Sequence, residues 1–193
     1  NGQWRNIKEV ALAPKHASTM HPTVTADGKR LFFASDMPGT FGKYDIYVAA
    51  IQSNGSVGVA KNLGEKVNTD KNELYPNLAG GTTLFFASEG REGYGGLDVF
   101  MVQVNNKKVS WAVNLGNPIN SEEDDFSIFL MADKGEGYVM SNRGKDNGTI
   151  TKVAFSYTNK GNNQATEKRE YNLLEALNND LRIDYSSSVF DNE

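Results

Sequence analysis

Apolar residues in this chain fall in short runs separated by turn-forming residues. Residues 31–35 read LFFAS, and residues 84–88 read LFFAS again. Runs this short, apolar throughout and preceded by Asp27-Gly28 or Gly80-Gly81, predict strands covered on both faces. Gly28 and Gly81 suit the positive φ that tight hairpin turns require. A short strand is expected before the first run, at 22–25. After it comes a loop over 36–43, punctuated by Gly and Pro. A third strand is expected over 44–51, where Tyr44, Ile46, Tyr47 and Val48 are β-formers. Ser53-Asn54-Gly55 turns the chain into a fourth, outer strand over 57–63.

This four-strand pattern recurs. HPTVTADGKRLFFASDMPGTFGKYDIYVA, from His21, returns as YPNLAGGTTLFFASEGREGYGGLDVFMV, from Tyr75. Phe32 and Phe85, Ser35 and Ser88, and Asp45 and Asp98 are each 53 residues apart. The tails match as well, KNLGEKVNTDKNE against VNLGNPINSEEDD. A repeat of this size is one supersecondary unit that buries its apolar face only by stacking on copies of itself. Asn105-Asn106 takes the later turn of the second unit.

A third copy is worn. FSIFLMADKGEGYVMS, from Phe126, aligns with the first half of the unit, and Thr151 stands where the repeated aspartate would fall. Trp4 plays the part of Trp111, so the start of the chain reads as the end of an earlier copy. The expected organisation is blades over residues 1–172: 1–20 ending a preceding unit, then units at 21–73 and 74–125, and a divergent one at 126–172. Residues 173–193 form a tail. Leu173, Leu174, Leu177 and Leu181 have helix spacing, so 171–181 reads either as a helix or as a decayed outer strand. Residues 185–190 offer an inner strand of another blade.

Four antiparallel strands per unit at this pitch predict an all-β fold, a β-propeller that is partial or closed by additional strands. The competing architecture is a meander or sandwich containing a duplication. The pitch exceeds the ~40–45 residues of a WD40 blade, because the loop after the fourth strand is long. Three units and a fragment are fewer than the roughly 4–8 blades of a usual ring.

Composition narrows the function classes. The net charge is -4, from 20 basic and 24 acidic residues, which gives no basic face for nucleic acid. Without cysteine there is no disulfide, thiol nucleophile or Cys-ligated zinc. No apolar run is long enough for a membrane-spanning helix. The chain begins without Met and reads as a piece of something longer, so export is not judged from it.

The run P-x-x-x-x-x-G-x-x-L-F-F-A-S, a Gly-rich loop, D-[IV]-[YF] and N-L-G-x-x-[VI]-N-[ST] together resemble the WD40-like repeats of TolB-type propellers. More narrowly, they are similar to the propellers of OmpA-family envelope proteins, including PorE-like components of type IX secretion. The resemblance covers roughly residues 4–157. It implies a periplasmic position near the outer membrane. It implies peptidoglycan contact only through domains outside these residues.

Candidate chemistry is sparse. Asp45 and Asp98 open the third strand of each clean unit. An active site occurs once and a scaffold device occurs per unit, so both are expected to tie loop amides, alongside the structural Gly28 and Gly81. Asp70, Glu73, Glu122, Glu123, Asp124 and Asp125 make the linkers acidic. They lack the alternation of a calcium loop and are expected to be a solvated face. His16 and His21 are read as ordinary loop residues. Gly93 to Gly96 is a turn, lacking the strand-to-helix context of a phosphate loop. No catalytic residue, metal site or cofactor is expected, and the chain is read as not an enzyme.

The better candidate is a face. Loops after the second and fourth strands emerge on one side of a blade. There Phe41, Lys43, Arg91, Glu92, Tyr94 and Arg143 are expected beside the linkers as partner-binding residues, since aromatic and Arg side chains are preferred interface anchors. The expected function is a non-enzymatic scaffold for protein–protein interaction in a bacterial envelope complex. The alternatives are a glycan- or peptide-binding propeller accessory to an enzyme, and a purely structural module.

Overall fold

A computed structural model describes residues 7–105, 108–131, 134–144 and 148–157. Trp4, Asn106, the end of the divergent unit and the whole tail, including 171–181 and 185–190, lie outside the described residues.

The described chain is all-β and contains no helix. Its eleven strands form three antiparallel sheets. The first sheet holds β1 (Thr19–Val24), β2 (Arg30–Ser35), β3 (Asp45–Ala50) and β4 (Lys61–Asn62), in that order. The second holds β5 (Glu73–Ala79), β6 (Thr83–Ser88), β7 (Asp98–Gln103) and β8 (Val113–Asn114). The third holds β9 (Asp125–Met131), β10 (Glu136–Ser141) and β11 (Thr151–Ser156), with β10 in the middle. Each sheet is a meander, so every strand pairs with its sequence neighbour.

The repeat in sequence is a repeat in register. Ser35 pairs with Asp45, Ser88 with Asp98, and Ser141 with Thr151. The second and third strands therefore fall where the pattern predicts, within a residue or so. The fourth strand is shorter than expected: only Lys61 and Asn62 pair with β3, and Val57 makes a single bridge to Ile51. The first strand begins earlier than expected, at Thr19, because a bulge carries it past Pro22. Proline cannot donate to a ladder and is tolerated at such bulges.

The LFFAS runs are apolar throughout because the two sheets that carry them are covered on both faces. Phe32, Ala34, Ile46 and Val48 of the first sheet pack with Leu84, Phe86, Phe100 and Val102 of the second. Phe85, Val99 and Met101, on the opposite face of the second sheet, pack with Ile128 and Val139 of the third. Phe32 and Phe85 thus both point toward the following unit, while Phe86 points toward the preceding one. The other face of the first sheet, with Leu31, Phe33, Tyr47 and Ala49, is covered by Leu12, Ala13 and Ala17. Phe32, Phe33, Phe85 and Phe86 are all fully buried, and each contributes about 2–3 kcal/mol of transfer free energy.

Candidate docking face

Two loops follow the second strands, at 36–44 and 89–97. Each closes on the linker that leads to the next sheet. The Lys43 N–H donates to the Lys71 carbonyl at 2.8 Å, and Tyr44 bridges to Asn72 in parallel. The Leu97 N–H donates to Asp124 Oδ1 at 2.9 Å, and the Asp125 N–H to the Leu97 carbonyl at 2.7 Å. Glycine permits the closeness: a Cβ on Gly42 would meet the Lys71 backbone, and one on Gly95 the Glu123 carbonyl.

Buried carboxylates hold these loops. Asp45 Oδ2 accepts the Phe41 N–H at 2.8 Å and the Asn62 amide at 2.6 Å. Its Oδ1 takes the Gly42 N–H at 3.4 Å. Asp98 Oδ2 accepts the N–H groups of Tyr94 and Gly95, at 2.7 and 3.2 Å. Burial pushes the Asp98 carboxyl up, and the nearby Asp125 and Asp124 push the same way; the two amide donors oppose this.

Behind each aspartate lies an asparagine pair. Asn62 Oδ1 accepts the Gly64 N–H and the Asn68 amide, and Asn114 Oδ1 accepts the Gly116 N–H and the Asn120 amide. Asn120 also bonds both main-chain groups of Val99, accepting its N–H at 2.8 Å and donating to its carbonyl at 2.9 Å. The sequence signal is N-L-G-x-x-x-N, which recurs at 62–68 and 114–120. It marks the tail of the unit without revealing which main-chain groups the amides take.

The linker acids divide by burial, with Asp124, which accepts the Leu97 N–H, half-buried. Asp70, Glu122 and Glu123 are exposed, as a solvated face would be. Glu73 and Asp125 are fully buried. Glu73 accepts from the Thr69 N–H, the Thr69 hydroxyl and the Ser88 hydroxyl, at 2.7–2.8 Å. Asp125 accepts from Ser121 and pairs with Arg143 at 2.5 Å. Among the described residues, no group of three or more His, Asp or Glu side chains is placed to hold a metal ion.

The six residues expected on the face divide as well. Phe41 and Tyr94, at equivalent positions, expose 56% and 55% of their surface. Lys43 and Glu92 are exposed beside them in the chain. Arg91 and Arg143 are instead built into the scaffold. Arg91 Nη2 donates to the Glu65 carbonyl at 2.9 Å. Arg143 donates to Ser141 Oγ, Asp125, the Pro118 carbonyl and the Ile119 carbonyl. A cation with that many acceptors inside the fold is not a free anchor. Gly28 and Gly81 sit in the turns at φ 69° and 81°. His16 is exposed, whereas His21 lies within β1 rather than in a loop.

No protein-family model matches this chain, and no curated protein matches it.

Proposed function

We propose that the three sheets are successive blades of a TolB-like, WD40-like β-propeller, acting as a non-enzymatic scaffold for protein–protein interaction. The blade reading is supported by the packing order, in which the Phe32 or Phe85 face of one sheet meets the opposite face of the next at each junction. The first strands also contact one another in sequence, β1 with β5 and β5 with β9.

One observation carries the docking reading. Phe41 and Tyr94 are repeat-equivalent, more than half exposed, and anchored through their own N–H groups to buried aspartates. An aromatic ring left in water on a main chain fixed by carboxylate bonds is a pre-organised contact, so partner binding orders little of it. Two such posts on one face fit a protein partner. By the repeat resemblance, the setting is a bacterial envelope complex at the periplasmic side of the outer membrane, of the OmpA-family and type IX secretion kind.

The test is capture from a crosslinked cell-envelope extract with the wild-type chain and with Phe41→Ser/Tyr94→Ser. Envelope proteins retained by the wild type and lost with the variant are the expected result. The same proteins retained by both would remove this face from consideration.

A further inference from the structure

His21 and Tyr75 occupy equivalent places in β1 and β5, each just before a proline and each at φ 53°. A non-glycine residue in this region is strained and persists only where its surroundings hold it. Both lie in bulges. Pairing to the second strand skips from Met20 to Thr23 in one sheet and from Leu74 to Asn77 in the next. The Tyr75 N–H is therefore outside the ladder. It donates instead to Nδ1 of His21, 3.2 Å away in the preceding sheet. The two rings stack with centroids 4.0 Å apart, and Phe126 of β9 meets Tyr75 edge-on at 5.7 Å.

An imidazole nitrogen accepts a hydrogen bond only while it carries no proton. With Nδ1 facing an N–H, the neutral ring keeps its proton on Nε2. A second proton would set Nδ1–H against the Tyr75 N–H, two donors with no acceptor between them. We propose that His21 is a proton-sensitive latch between the first two sheets, closed while the imidazole is neutral and released when Nδ1 is protonated.

The charged side chains packed around His21 are bonded elsewhere. β1 carries no other titratable side chain. From β2 comes Arg30, at the far end of the strand, where its guanidinium donates to the Asn105 carbonyl and lies over Phe32. From β5 come Tyr75 and Glu73, whose carboxylate is held by Thr69 and Ser88. From β9, packed on β5, comes Asp125, paired with Arg143. Burial pushes the imidazole of His21 below its ordinary value. A folded value below the unfolded one means that stability is complete above the unfolded value. It is lost as pH falls through that value toward the folded one.

The experiment is an NMR titration of the wild-type chain from pH 8 to 5, following the His21 ring and the protection of the Tyr75 amide. Unfolding of the wild type and of His21→Phe, which keeps a ring but no acceptor, is measured over the same range. His21 should titrate below a histidine model peptide, and Tyr75 protection should fall as it protonates. The unfolding constant of the wild type should rise as pH falls, by at most about tenfold per pH unit, and this His21 component should be missing in His21→Phe. Titration at or above the peptide value, or a Tyr75 amide indifferent to it, overturns the latch. If His21→Phe does not fold, the wild-type titration decides alone.

Discussion

Asn68 closes both main-chain groups of Ile46. Its Oδ1 accepts the Ile46 N–H at 2.8 Å, and its Nδ2 donates to the Ile46 carbonyl at 3.0 Å. At this place β3 lacks a full neighbouring strand, since β4 pairs only with Tyr47 and Val48. The amide side chain acts as the missing strand. Asn120 does the same for Val99 in the second sheet.

The Ile46 and Val99 carbonyls also accept the Leu63 and Leu115 N–H groups, so removing the amides strands two buried donors, the N–H groups of Ile46 and Val99. Each costs about 1–3 kcal/mol when left unpaired. Asn68→Ala and Asn120→Ala should each lower stability by about 1–3 kcal/mol, read as a shift in the urea midpoint with unchanged slope. Asn68→Asp should not recover it, because the second carboxylate oxygen would face the Ile46 carbonyl and Asn62 Oδ1, acceptors with no donor between them. An alanine variant within experimental error of wild type would show that water replaces the amide.

The loop-to-linker contact depends on two glycines for a different reason from turn geometry. Neither Gly42 nor Gly95 has a positive φ, yet a Cβ on either would run into main chain. Backbone cannot swing away as a flexible side chain can. Gly42→Ala and Gly95→Ala should therefore each cost about 1–3 kcal/mol, the range of overpacking. Both should also disturb the Phe41 or Tyr94 post. Gly144→Ala, with open space around it, is the control and should be nearly neutral. Equal melting temperatures for all three would mean that the loops stand off the linkers.

Much of the fold was legible because its signals are local and repeated. LFFAS fixed β2 and β6, the Asp-Gly and Gly-Gly turns fixed their starts, and the 53-residue step carried the assignment to β10. The first strand begins before the pattern predicts, because His21-Pro22 looks like a strand end when it is a bulge. The candidate face was half legible. Phe41 and Tyr94 follow from loop position and repeat phase. The inward turn of Arg91 and Arg143 does not, because their acceptors come from other segments. Arg143 bonds Asp125, 18 residues away, and Pro118, 25 away. Only the folded linker brings an acid beside the cation.

Glu73 gives a pH signature opposite in sign to that of His21. Burial pushes its carboxyl up, while bonds from Thr69 and Ser88 and from the Thr69 N–H pull it down; Asp45 adds a smaller upward push. A folded value raised above the unfolded one favours the protonated form in the fold. That stabilisation is present at acid pH and is lost as pH climbs through the folded value. A 13C titration should place the Glu73 carboxyl above the glutamate model peptide. A midpoint at or below the peptide would mean that the three donors outweigh burial, and that Glu73 stabilises the fold at neutral pH.

Arg143 separates scaffold from surface. Its side chain is 22% exposed, and that of its partner Asp125 is fully buried. Removing the guanidinium strands Asp125 and also releases the carbonyls of Pro118 and Ile119. Arg143→Ala should cost about 3 kcal/mol, the low end for leaving a buried charge unpaired. Arg143→Lys should restore only part of it, because an ammonium lacks the planar fork that reaches a carboxylate and two carbonyls together. A double-mutant cycle with Asp125→Asn should return a favourable coupling, which two independent surface groups would not show. If Arg143 instead served as a partner anchor, Arg143→Ala would weaken envelope capture while leaving the unfolding midpoint where it was. The two roles thus predict opposite patterns in one pair of measurements.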